Sequence, residues 1–215
     1  MGKGLAGLGM IVLAAAISAC SAPQFTYISN TSANTYFKVP SAWHKLDDAV
    51  LATVMHGGTS SAQPAGVWSI AYDASAPPSG SHVFGGQTPA PFTFAFVEKL
   101  TSAQSRAISD NALRDMYLPV TPVTRQSAAL SGFRLTHFHL LRDTTLSAGQ
   151  GVHGVRVVYD YTFPSGSTDT FDQIALTNAH DTEVYLLVTH CLATCYQQNH
   201  SEIETVMTSF TVRSQ

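Results

Sequence analysis

The side chains best suited to chemistry in this 215-residue chain are histidines, cysteines and one glycine-rich hexapeptide. His137 and His139 stand two apart in a stretch of strand character, so they would share a sheet face and could ligate a metal ion. His153 is the nearest third donor. With the intervening turn centred near Ser147-Ala148 it would pair with Arg142 and point away from His139. Histidines packed or hydrogen-bonded on a partly covered face are the reading adopted, and His190, beside Cys191, is read the same way. A metal-dependent hydrolase using His137 and His139 is the alternative. Gly149-Gln150-Gly151-Val152-His153-Gly154 matches G-x-G-x-x-G. A dinucleotide site needs those glycines to close a strand and open a helix, so that the pyrophosphate meets a helix N-terminus. Here the strand-like VRVVYDYTF follows, so a hairpin loop is expected. Asp47-Asp48 stands where a helix should begin and carboxylates complement its dipole. The sequence has no G-x-S-x-G, H-E-x-x-H or Walker A pattern. No catalytic residue, metal or cofactor is assigned.

Cys20 is different in kind. Before it come Lys3, an apolar stretch from Leu5 to Ile17, and the small residues Ser18-Ala19, which is the anatomy of a secretory signal. The stretch is shorter than the ~20 residues a membrane-crossing helix needs. Ile17-Ser18-Ala19-Cys20 resembles the lipobox of bacterial lipoproteins. The resemblance implies diacylglycerol on the Cys20 thiol and cleavage after Ala19. Two or three acyl chains would then hold the protein on the extracytoplasmic face of the cell membrane. The remaining pair, Cys191 and Cys195, fits a structural disulfide in that oxidising setting if the chain turns between them. Two free buried thiols and a metal pair are the alternatives.

Composition narrows the partners. Without Lys3, 10 basic residues face 14 acidic ones, a net charge of −4, and no basic stripe suggests nucleic acid. Charged residues make up 12% of the chain, about half the usual ~25%. The surface must be built largely from Ser, Thr, Gln, Asn and Gly, and a monomer is favoured.

The elements that must position these groups follow from periodicity. Residues 1–19 read as signal peptide, 20–34 as a flexible tether and 35–215 as one domain. Strands are expected at Thr35–Val39, Gly66–Asp73, Phe92–Leu100, Gly132–Arg142, Val152–Phe163, Thr170–Thr177 and Glu183–His190. Helices are expected from Leu46 to about Val54, from Ser105 to Tyr117, and around Ile203, Val206, Met207 and Phe210, the last with a Ser201/Glu204 capping box. Val184, Leu186 and Val188 would face one side of the sheet and Tyr185 and Leu187 the other, so both faces need cover. The expected fold is α+β, a central antiparallel sheet with helices on both faces. The 74–91 stretch is too rich in Pro, Gly and Ser for regular structure, and loops this long tend to be functional or disordered. A ligand groove, if present, is placed where this loop meets the sheet, with His82 and Phe84 at its edge.

Several segments together are similar to the LpqN-type lipoproteins of actinobacteria, related in fold to the Mog1/PsbP group. They are Phe37-Lys38-Val39-Pro40-Ser41-Ala42-Trp43, the strand Trp68 to Asp73, Gly154 to Tyr159, Asp172-Gln173, Cys191 to Tyr196, and Ser209 to Val212. The resemblance covers most of the mature chain in order. It implies an α/β/α sandwich and a non-enzymatic envelope role, binding an apolar lipid, a glycolipid or an envelope protein partner. It supplies no catalytic residues. A purely structural interaction module is the remaining option.

Overall fold

A computed structural model describes residues 24–213 apart from 56, 59–61, 63 and 87. The expected signal peptide and Cys20 lie outside the described residues. Strand structure begins earlier than the uncharged, Ser- and Asn-rich leader suggests. Phe25–Asn30 forms β1, which pairs antiparallel with β2, Thr35–Pro40, from Phe25 opposite Pro40 to Asn30 opposite Thr35. Within the expected 20–34 tether, the described residues Phe25 to Asn34 are therefore strand and turn instead. Phe25, Tyr27 and Ile28 are strand-forming types, and burial of Ile28 secures the hairpin. Asn30 turns the chain by accepting hydrogen bonds from the Ser32 and Ala33 amides.

Next come β3 (His44–Lys45), α1 (Asp48–Met55), β4 (Val67–Asp73) and β5 (Phe92–Lys99). Asp47 opens α1 by accepting from the Ala49 and Val50 amides at 2.9 and 3.1 Å. The single helix expected over 105–117 is two short ones, α2 (Ser102–Ala107) and α3 (Asp110–Arg114). Ile108 is extended between them, and Ser109 restarts the helix by capping the Ala112 amide. α4 (Pro122–Leu130) was not anticipated; Thr121 caps it and Pro122 occupies its first turn. The strand series follows: β6 (Thr136–Gly149), β7 (Val152–Thr162), β8 (Thr168–Thr177) and β9 (Glu183–Leu192). The chain ends in α5 (Ala193–Gln198), α6 (His200–Thr208) and β10 (Thr211–Val212). The Ser201/Glu204 capping box does not form. Helix α6 already starts at His200, and Glu204 reaches across to Arg156 instead.

The main sheet has seven strands in the order β3-β4-β5-β9-β8-β7-β6, each pair antiparallel. A smaller sheet, β1-β2-β10, lies apart from it. One face of the main sheet packs Leu187, Ile174 and Val158 against Phe37, Val39, Ile203, Val206 and Met207, so the small sheet shares this face with α6. On the other face Phe92, Phe94, Val155, Tyr159 and Phe171 meet Leu51 of α1, Val83 of the long loop and Leu113 of α3. The alternation expected in β9 is seen: Val184, Leu186 and Val188 join the second core, Tyr185 and Leu187 the first. Each large side chain buried here contributes roughly 1.5–3 kcal/mol of transfer free energy. The β6–β7 hairpin turns at Gln150-Gly151, so His153 pairs with Ser147, not Arg142, and Arg142 pairs with Val158.

Candidate functional site

Strand β6 does not deliver its histidines as simple alternation predicts. A register shift separates Thr136 from His139, and His137 sits at φ 49, in the left-handed region. The even spacing that would set His137 and His139 on one face is broken by this bulge. The His139 side chain is 72% exposed, its Nδ1 3.9 Å from Asp160. His153 lies at the hairpin end, its Nδ1 2.9 Å from the Gly151 carbonyl and its Nε2 3.7 Å from Asp181. Among the described residues no three His, Cys, Asp or Glu side chains converge as metal ligands would. Gly149 to Gly154 forms the β6–β7 turn and enters a strand, so no helix N-terminus faces those amides. Cys191 and Cys195 are joined by a disulfide with Cα atoms 5.9 Å apart, linking the end of β9 to α5.

The 74–91 loop is folded down on the sheet. Asp73, fully buried at the end of β4, accepts from the Ser75 and Ser79 amides and pairs with His82 Nδ1 at 2.8 Å. Val83 is buried, and its carbonyl accepts from the Tyr117 hydroxyl. Phe84 remains 42% exposed, its ring 6.0 Å from that of Tyr117. The loop thus fills the place where a groove edged by His82 and Phe84 was expected: His82 is tied inward, and Phe84 lies over Tyr117. Beneath them His190 is fully buried and stacked on Phe171 at 4.9 Å, with neither ring nitrogen making a hydrogen bond of normal geometry. Burial pushes its pKa down to about 3, slightly opposed by the nearby Val83 carbonyl.

A second polar cluster crosses from β7 to α6. Arg156 donates to both Asp172 oxygens at 2.9 and 2.7 Å and to both oxygens of Glu204. Tyr196 donates to Asp172 Oδ2 at 2.9 Å. Burial works against the Arg156 charge, but the two carboxylates outweigh it and hold the guanidinium above its ordinary pKa. The Arg156 hydrogen bonds in turn hold Glu204 below the usual carboxylate range. Next to Asp172, Gln173 donates to the Leu113 and Arg114 carbonyls and accepts from Tyr159. These are the Arg, Tyr, Asp and Gln of the quoted sequence segments, and they act as internal cross-links.

A recess with one apolar and one polar wall lies elsewhere, where the β1–β2 turn meets the Lys99/Glu183 end of the main sheet. Two adjoining cavities of about 240 Å³ each share Ser32, Ala33, Lys99 and Glu183. One lobe is walled by Val67, Trp68 and Val97. The other is walled by Asn34, Asn178, His180, Thr182, Tyr185 and Arg213. Glu183 accepts from the Tyr185 hydroxyl at 2.7 Å, and Lys99 Nζ stands 3.9 Å away. Burial, then Glu183, pushes the Tyr185 pKa up, so this hydroxyl stays a donor. Apolar beside polar suits an amphipathic molecule, although each lobe alone is smaller than the ~300 Å³ of a usual small-molecule site. Sequence reasoning missed this recess because its walls come from five segments. One of them, Asn30–Asn34, belongs to the uncharged stretch whose composition reads as tether.

The sequence matches no family model, and no curated protein is significantly similar to it. Similar solved structures define the fold. Cyanobacterial PsbP from Synechocystis, 12% identical, covers 93% of this chain and 98% of its own at a TM-score of 0.55. The Ran-binding protein Mog1p of Saccharomyces cerevisiae is 8% identical, covering 87% and 95%, at 0.46. LpqN of Mycobacterium tuberculosis, described as involved in cell envelope biogenesis, is 12% identical, covering 89% and 91%, at 0.45. The chain has a Mog1/PsbP-like α+β fold, an assignment carried by the cyanobacterial structure. Among the described residues no helix is long and apolar enough to cross a membrane.

Proposed function

We propose that the protein is a lipid-anchored component of the cell envelope that binds an amphipathic envelope molecule, without turning it over. The observation that carries the binding role is the two-lobed recess, with Trp68, Val67 and Val97 on one side and a hydrogen-bonding wall on the other. The compartment is supported by the signal and lipobox pattern ending at Cys20 and by the Cys191–Cys195 bridge, a bond at home outside the cytoplasm. An adaptor to an envelope protein complex is the second form of the same reading. The 12% identity to LpqN is too low to transfer that protein's role.

Native mass spectrometry of protein released gently from membranes should show an amphiphile retained on the mature chain. Val67→Asp sets a carboxylate in the apolar lobe and should lower the retained fraction severalfold while shifting stability by no more than about 1.5 kcal/mol. Unchanged retention in this variant removes the recess as the site. Cys20→Ser should leave the precursor unprocessed and without fatty mass; normal processing and sedimentation would remove the anchor.

A further inference from the structure

The small sheet buries one face and leaves the other to solvent. Ile28, Phe37, Val39 and Val212 point into the first core. By alternation Phe25, Tyr27 and Ser29 of β1 and Tyr36, Lys38 and Pro40 of β2 point away from it. The register makes them neighbours: Phe25 stands opposite Pro40, Tyr27 opposite Lys38 and Ser29 opposite Tyr36. Three aromatic rings therefore share one outer surface, Tyr27 at 79% exposure and Phe25 and Tyr36 half-buried. Lys38 holds its ammonium 4.3 Å over the Phe25 ring, and Arg213, next after β10, its guanidinium 5.5 Å over the Tyr36 ring. Neither cation forms an ion pair among the described residues. No acidic residue stands on the outward side of the three strands. Aromatic rings interleaved with long cationic side chains suit the level where a bilayer's hydrocarbon gives way to its phosphates.

Chain length says what lies opposite this surface. Phe25 follows Cys20 by five residues, and five residues of fully extended chain span at most roughly 18 Å. A domain of this size is roughly 40 Å across. Acyl chains on Cys20 would therefore keep the start of β1 close to the bilayer and put the far side of the domain, with α4, out of its reach. Two surfaces meet at Phe25 and compete for that position. One is the outer face of the small sheet, with its rings and two cations. The other, at the start of α6, offers Gln198, Asn199, Ser201, Thr205 and the acid Glu202. Anionic lipid repels the acid and attracts the cations, so the sheet face prevails. A second copy of the chain would set Lys38 and Arg213 against their own counterparts.

We infer that the outer face of the β1-β2-β10 sheet lies on the bilayer that holds Cys20, with Phe25, Tyr27 and Tyr36 in the interface and Lys38 and Arg213 on lipid phosphates. This rests on the proposed anchor and adds the orientation of the domain. Arg213 also walls the polar lobe of the recess, so docking by this face holds the recess beside the headgroups. The test uses the mature lipoprotein reconstituted in vesicles of phosphatidylglycerol and phosphatidylcholine, part of the latter brominated on its acyl chains. A polarity-sensitive dye is placed at Ser29→Cys or, as the control, at Gln126→Cys on α4 across the main sheet. Mass spectrometry of the Cys20 peptide in the same samples reports the anchor. With fatty mass present, the Ser29 dye should be blue-shifted and quenched severalfold more than the Gln126 dye. Tyr27→Asp, at the most exposed ring, should cut the Ser29 quenching severalfold and leave unfolding unchanged. Equal quenching at the two positions of acylated protein overturns the inference and leaves the anchor standing. Unchanged quenching in Tyr27→Asp assigns the contact to the anchor alone and also overturns it. A blue shift at Ser29 without bromine quenching, growing with the protein-to-lipid ratio, overturns it in favour of a second copy. Absence of fatty mass removes the anchor, and this placement with it.

Discussion

At the scale of single residues, the interior is specified by polar cross-links as much as by apolar side chains. Arg156 is 5% exposed and Asp172 not at all, so each depends on the other for its charge. Arg156→Met should therefore cost about 3–5 kcal/mol in urea unfolding, because it leaves the Asp172 carboxylate buried without a counter-ion. Tyr196→Phe removes one hydrogen bond from a carboxylate that keeps Arg156, and should cost only about 1–2 kcal/mol. Comparable losses from the two would show the charges to be paired with something else. Asp172 and Glu204 lie 16 and 48 residues from Arg156, and only pairing of β7 with β8 and docking of α6 bring them together. That is why residue spacing reveals neither partner, although Arg156, Asp172 and Tyr196 each stand in a motif segment.

At the scale of elements, β7, β8 and β9 were readable because alternating apolar residues meet a covered face on each side. Helix α4 was not, and the reason is physical. Periodicity announces a helix by the stripe it buries, whereas α4 buries small and polar side chains and exposes Val123 and Leu130. The break between α2 and α3 was missed for a related reason. Ile108 and Leu113 fit one continuous stripe, but local capping by Thr101 and Ser109 favours two starts over one long helix. The β7–β8 pair carries its own constraint at Gly154, where an added Cβ would stand 2.1 Å from the Ala175 carbonyl oxygen and 2.8 Å from Leu176 Cα. Gly154→Ala must push β7 and β8 apart, and its thermal unfolding should show a loss of about 3 kcal/mol. A wild-type melting temperature would mean that the strands lie farther apart than described.

At the scale of the whole molecule, acid should be the fold's weakness. His190 titrates near 6.5 when unfolded and at about 3 in the folded protein, so the unfolded chain takes up the proton first. Stability is then complete above about pH 6.5 and falls as pH drops toward 3, by on the order of 5 kcal/mol in all. Glu204 and Asp115 titrate below their ordinary range, and both add losses at lower pH. Burial opposes ionisation of Asp115 but is outweighed by hydrogen bonds from residues 120–124. His190→Phe keeps a ring against Phe171 and removes the proton acceptor. Its unfolding free energy should be flat between pH 6.5 and 5, where the parent slopes, and a parallel slope would assign the acid lability to other groups.

Local chemistry is written in order along the chain, so the signal-like start, the hairpin glycines, the cysteine spacing and the strand alternation could be read from the sequence alone. With them came the α+β class, because a strand apolar on both sides requires a layer on each. Tertiary structure decided what depends on distant segments meeting. It made the leader a strand, closed the long loop over His190 and opened a recess between the two sheets. It also turned the apolar side of α4 outward. Those outcomes depend on which surfaces come to lie opposite one another, and residue spacing carries no record of that.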